Sequence, residues 1–262
     1  MTALEALAPF AALGEGAVYG AVAVFARVGA TVALLPGFGE TALPARVKLG
    51  AAVVFTMAVW PLAAPLADLA GADAATLWLT VAAEAVAGLI LGLSVRMLIF
   101  ALQLAGAVAA QATSVAQMFG EGLTADPQPA FSNLLTIAGI ALAFALGLPA
   151  YAAAALVGSY EVIPFGTFPF GGDVAHWGAR RVGGAFATAI AIATPFMITA
   201  FGYYLALGAI NKAMPQLMVA FVGAPAITAG ALLLMFLAAP PAISLWGAKL
   251  TTVLLDPYGA FP

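Results

Sequence analysis

Cysteine is absent from the 262 residues, which removes disulfides, thiolate metal sites and cysteine nucleophiles together. Histidine occurs once, at His176, so no multi-histidine metal site can be built. Charge is scarce as well. Lys and Arg number 8 and Asp and Glu 11, 7% of the chain, where a soluble domain carries about 25%. The formal net charge of -3 argues against nucleic acid as a partner. Catalytic motifs are also missing: no G-x-S-x-G or H-E-x-x-H occurs, and Gly37-Phe38-Gly39 lacks the spacing and closing GK[ST] of a phosphate loop. No spacing pairs two carboxylates. The residues therefore argue against an enzyme, and they mark no catalytic, cofactor or metal site.

What fills the chain is apolar, 65% hydrophobic residues with a mean hydropathy of +1.11. So few polar groups cannot cover a soluble domain, and most of the exterior must meet lipid or other protein. Residues 1–14 have no basic n-region, carry Glu5 and lead into another apolar run, so the first hydrophobic helix is expected to stay on as structure.

Six stretches are long enough to cross a bilayer, which takes about 20 apolar residues each: 16–35, 47–66, 75–103, 131–157, 182–210 and 217–245. They are continuous and rich in Ala and Leu, without period-two alternation, which predicts an all-α integral membrane protein with Pro/Gly-broken hairpins. Pro36, Gly37, Gly39 and Pro44 mark the first turn, and Pro61, Pro65, Asp68, Gly71 and Asp73 the second. Residues 118–129 and 161–180 read as irregular connections, the latter with the aromatics of a membrane interface. Charge does not orient the spans, because Arg46, Lys48 and Lys212 on one side balance Arg180, Arg181 and Lys249 on the other. Gly88 and Gly92 form a G-x-x-x-G that permits close helix contact, although a generally Ala-rich composition accounts for them equally well.

Polar chemistry concentrates in a few places. Arg27, Glu84 and Arg96 lie within spans, where each would cost about 2.5–3.5 kcal/mol facing lipid at a helix centre. Structural pairing is the preferred reading over an ion relay. Glu84 and Arg96 stand about 18 Å apart along one helix, so each needs another partner. The stretch 106–127, GAVAAQATSVAQMFGEGLTADP, is too polar for a lipid-facing helix and too apolar for a solvated loop. It reads either as a constriction element buried beside a cavity or as a helix end with an ordinary connection.

Three stretches together carry a family resemblance: FARVGATVALLPGFGETALPARVKLG at 25–50, the Ala-Asp-Pro step at 125–127, and MPQLMVAFVGAPAITAG at 214–230. On these the chain resembles the FliR family of flagellar type III export-gate proteins, related to the T-type component of virulence injectisomes. The sequence departs from the family's Asn-Gly-His after the start of the fourth helix, carrying Leu146-Gly147-Leu148-Pro149, so no role of that histidine transfers.

The resemblance implies a structural pore subunit in the bacterial inner membrane at the flagellar basal body. It would assemble with FliP-like and FliQ-like subunits, beside FlhA-like and FlhB-like components, to pass unfolded proteins outward. Residues 1–180 would form a FliP-like part and 181–262 a FliQ-like hairpin within one membrane domain. The segment 111–123 corresponds to the family's pore plug, with Gln111, Ser114, Gln117, Met118, Phe119, Gly120 and Leu123 as its members. Pro36, Gly37, Gly39, Pro44, Arg46, Lys48, Pro215 and Gln216 would serve as hinge and assembly positions. An injectisome gate subunit is the alternative within the family, and a small secondary transporter the alternative outside it.

Overall fold

The computed structural model describes residues 3–67, 69, 71–113, 130–214 and 219–259. Among the described residues seven α-helices follow one another: α1 (Ala3–Leu34), α2 (Ala45–Ala63), α3 (Ala74–Thr113), α4 (Ala130–Ala145), α5 (Leu148–Val162), α6 (Gly171–Ala213) and α7 (Val219–Leu255). A short 3-10 turn, Ala64–Leu66, follows α2. No strand occurs among the described residues. Among the described residues, five helical stretches are long and apolar enough to cross a membrane, six if the bent pair α4 and α5 is one span. The chain is thus an all-α, multi-pass membrane protein.

Several expected boundaries move. The fourth segment is two helices, because the chain breaks at Leu146-Gly147 and bends by 71°. Gly147 sits at φ 85°, and Pro149 restarts the helix. α3 continues through the polar-apolar stretch to Thr113, since its run of Ala favours helix and Gly106 packs against the backbone of Ser132. The connection expected over 161–180 shrinks to 163–170, with Asp173 in the first turn of α6 suiting the positive end of the helix dipole. α2 likewise runs through Pro61 to Ala63.

The chain divides into two compact units. The first contains Met1–Met97, Ala143–Arg181 and Leu250–Pro262. Its core begins on α1, where Ala23, Val24, Arg27, Val28, Thr31 and Val32 are all buried at spacings of three and four, with Leu35 buried just beyond the helix. That stripe meets α3 at Gly88 and Gly92. A β-carbon on Gly88 would lie 2.1 Å from the Arg27 carbonyl oxygen, and one on Gly92 2.8 Å from that of Thr31. The glycine pair is therefore a contact surface, and Thr31 Oγ1 adds a bond to the Gly88 carbonyl at 3.0 Å. The second unit contains Leu98–Leu142 and Val182–Lys249. Its core is built on Leu102, Leu135, Ile192, Phe196 and Trp246, whose indole donates to the Leu98 carbonyl at 2.8 Å.

Outward faces are apolar. Val54, Met57 and Leu62 on α2, Phe201 on α6 and Phe236 on α7 are all more than half exposed, as expected of helices that meet lipid or other protein.

Candidate functional site

The most concentrated polar chemistry lies inside the first unit. Arg27 of α1 and Glu84 of α3 are both fully buried. Arg27 occupies an inward position of the α1 stripe because Ala23, Val24 and Val28 already turn that face to the core. Its Nη2 donates to Glu84 Oε1 at 2.9 Å. Its Nε lies 2.8 Å from Oε2, within ion-pair distance though without hydrogen-bond alignment.

Neither charge spends its whole capacity on the other. Arg27 Nη1 donates to Ser159 Oγ at 2.9 Å, and Nη2 also reaches the Ile163 carbonyl at 3.1 Å. The guanidinium lies 3.9 Å from the centre of the Tyr160 ring, a cation–π arrangement. Glu84 accepts from the Gly166 N–H at 2.9 Å and from the Tyr160 hydroxyl at 3.3 Å. Arg27 thereby satisfies the carbonyl at the end of α5, while Glu84 satisfies an N–H in the following turn. One ion pair fixes α1, α3, α5 and the α5–α6 connection together. Such a sealed pair is stable only because the remaining donors and acceptors are engaged as well.

The second constellation is the bend between α1 and α2. Gly37 has φ 82°, and a β-carbon there would fall 2.3 Å from the Phe144 ring, so the position needs glycine for both conformation and space. Phe38 is the bend's anchor. Its ring packs edge-on against Phe55 of α2 at 5.8 Å and against Phe144 of α4 at 5.5 Å. Gly39 is crowded by the carbonyls of Ala33 and Leu35. Pro36 is buried, and Pro44 stands immediately before α2. Lys48 donates to the Gly39 carbonyl at 3.4 Å, Arg46 is exposed, and Glu40 pairs with Arg96 of α3. All three charges within spans therefore take part in ion pairs, each with an opposite charge on another segment.

At the start of α3, Asp73 accepts from the Thr76 N–H and hydroxyl, which holds its carboxyl below the ordinary value of 3.8.

Of the plug positions, Gln111 lies exposed on α3. Ser114, Gln117, Met118, Phe119, Gly120 and Leu123, with Pro215 and Gln216, fall outside the described residues. Among the described residues no group of His, Asp and Glu could hold a metal ion. Sequence reasoning missed Ser159, Tyr160 and the turn 163–166 as the partners of Arg27 and Glu84. The available signal was Gly158-Ser159-Tyr160-Glu161, a polar interruption in an apolar segment.

Long apolar helices, a broken span and ion pairs inside the spans define the class: a multi-pass helical membrane protein whose described charges within spans are paired. The family model described as bacterial export proteins, family 1, matches residues 18–253, and the chain belongs to that family. It is similar to the flagellar biosynthetic protein FliR of Caulobacter vibrioides, with 30% identity over 218 residues, 79% of this chain and 83% of that one. It is also similar to the proteins of the same name from Pectobacterium carotovorum subsp. carotovorum, at 28% over 202 residues, and from Escherichia coli K12, at 26% over 201 residues. These matches cover 77% and 76% of each chain respectively.

Proposed function

We propose that this chain is a structural pore subunit of the flagellar type III protein export gate. Membership of the bacterial export family over residues 18–253 carries the reading. Three relatives named flagellar biosynthetic protein FliR favour the flagellar system over an injectisome. The protein works in the inner membrane, with FliP-like and FliQ-like subunits as neighbours and FlhA-like and FlhB-like components beside it. Unfolded flagellar proteins are its cargo. Its role is architectural rather than catalytic, which fits a molecule whose described ion pairs hold helices in place.

Within this role, residues 1–180 act as a FliP-like part and 181–262 as a FliQ-like hairpin. Most of α6 and all of α7, both long and apolar, lie in the second range, which fits a helical hairpin there. The bend from Pro36 to Lys48 is a scaffold joint, consistent with the packing of Phe38 and Gly37. The plug is assigned to 111–123, beginning on the last turn of α3. A weakly polar segment can block small solutes and yield to a polypeptide without breaking buried ion pairs.

A tagged chain should co-purify with FliP-like and FliQ-like subunits, and its deletion should abolish flagellar export and motility. Isolation of the chain alone, from cells that swim normally without it, would overturn the proposal. Deleting residues 114–121 should raise small-ion leakage through the assembled gate. Unchanged permeability with continued secretion would remove the plug assignment while leaving the export role intact.

A further inference from the structure

Helix α7 is apolar on its outward face as well as its inward one. Of its 37 residues Lys249 alone is charged. Its outward Leu232, Leu233, Phe236 and Leu237, all more than half exposed, are as apolar as the row it buries, Ile227, Ala231 and Met235. In lipid such a helix has no hydrophobic reason to turn one face inward rather than another, because acyl chains are as apolar as leucine. The buried row repeats at every fourth residue. A slide of one turn, about 5.4 Å, replaces each member by the next, apolar for apolar. Apolar packing alone therefore leaves the register of α7 loosely specified.

Two polar ties towards its C-terminal end have no such equivalents. The fully buried Trp246 donates its indole N–H to the Leu98 carbonyl of α3 at 2.8 Å. One turn to either side along α7 stand Ala242 and Leu250, whose side chains have nothing to donate. Beyond the helix end, the buried Pro257 offers its carbonyl to Ser94 Oγ of α3 and Arg181 Nη2 of α6, both at 2.7 Å. Ser94 has one hydroxyl proton and two acceptors in reach, and Pro257 is nearer than the Ile90 carbonyl at 3.0 Å. Two short donors match the two lone pairs of the Pro257 oxygen, with Trp177 Nε1 behind them at 3.5 Å. The Arg181 nitrogen also reaches the Asp256 carbonyl at 3.0 Å. Ser94 and Leu98 stand one turn apart on the same side of α3. The Trp246 tie lies within the second unit and the Pro257 tie within the first.

We propose that these two ties set the register of α7, both its axial position and the face it turns inward. Hydrogen bonds are directional and must be satisfied in an apolar surrounding. A one-turn slide that costs little in packing would therefore orphan the indole N–H, the guanidinium and the Pro257 carbonyl together. A single buried polar position fixes the register of a coiled coil in the same way. The ties thereby decide which side chains α7 presents outward, whatever assembly the chain joins. Ser94, Arg181 and Trp246 are positioning residues, and their donors rather than their bulk carry the role.

The chain has no cysteine, so spin labels can be placed at Gln111→Cys on α3 and Leu237→Cys on α7 without other thiols. Both positions are exposed and lie in the second unit. Pulsed electron paramagnetic resonance on the full chain in lipid nanodiscs measures their separation, and the labelled chain should give one narrow distance. Trp246→Phe combined with Arg181→Met should add a second population displaced by up to about 5 Å, one helical turn. Each alone should give a minor second population, and Arg181→Lys, which keeps a charged donor, none. Met235→Ala removes buried apolar contact but spares both ties, and should leave the distance where it was. One unshifted narrow distance in a combined variant that retains its helical content would overturn the proposal. So would a shift in Met235→Ala as large as that of the combined variant. Should the combined variant not be recovered folded, Trp246→Phe and Ser94→Ala are read separately, and an unshifted distance in both overturns it.

Discussion

Glu84→Gln removes one charge from the buried pair and alters volume hardly at all. The guanidinium of Arg27 would remain sealed with Ser159 Oγ, the Ile163 carbonyl and the Tyr160 ring, all neutral groups. An uncompensated buried charge costs about 3–5 kcal/mol, a large part of the roughly 5–15 kcal/mol that holds a domain folded. Arg27→Met should cost less, near the lower end of that range. Glu84 then keeps the Gly166 N–H and the Tyr160 hydroxyl as donors to its carboxylate. With both substitutions together no charge is left. The remaining loss is the hydrogen bonds to Ile163 and Ser159, about 1–3 kcal/mol. Thermal and denaturant unfolding of the four proteins in a mild detergent closes the cycle. The double variant should be less damaged than Glu84→Gln alone. If its destabilisation equals the sum of the two single losses, or if Glu84→Gln unfolds with the unaltered chain, the reasoning fails.

Three further outcomes follow from local geometry. Gly88→Ala places a methyl 2.1 Å from a backbone oxygen of α1, so overpacking of about 1–3 kcal/mol should outweigh the helix-propensity gain of about 1 kcal/mol, lowering the unfolding temperature. Gly37→Ala should lose stability from both the Phe144 clash and the left-handed backbone. Adding Phe144→Leu should relieve the first loss and leave the second, about 1–2 kcal/mol, as paired melting curves would reveal. Asp73 has a lowered folded pKa, so its contribution to the first turn of α3 is present above its ordinary value and disappears as pH falls through the folded one. Protection of the Thr76 amide, taken relative to its unstructured exchange rate at each pH, should therefore fall below about pH 4, and Asp73→Asn should flatten that fall.

The helical class and the number of spans were legible because an apolar run of about 20 residues in so charge-poor a chain has few other uses. The breaks were harder. Pro61 looked like a helix end, yet α2 passes through it, whereas Gly147-Leu148-Pro149 is a true break inside what reads as continuous hydrophobicity. A proline marks a lost donor without saying whether the chain turns there. That Arg27, Glu84 and Arg96 needed partners could be argued from desolvation alone. Which partners they found could not, since Arg27 and Ser159 are 132 positions apart and meet only through tertiary packing. Phe38 was hidden for the same reason: its value lies in Phe55 and Phe144, which no local pattern connects to the bend.

The spacing of Arg27 and Glu84 also bears on how the protein is made. The two are separated by 57 residues, so a ribosome places the arginine in the membrane well before its carboxylate exists. During that interval α1 must hold an unmatched cation on the strength of its other side chains, which keep Gly16–Leu34 apolar enough to cross a membrane even with the arginine included. The bilayer thus receives the first helix as a provisional guest, and the arrival of the third confirms it. Fragments ending before residue 84 should accordingly be poorly retained in membranes, and co-expression with a fragment carrying α3 should rescue them.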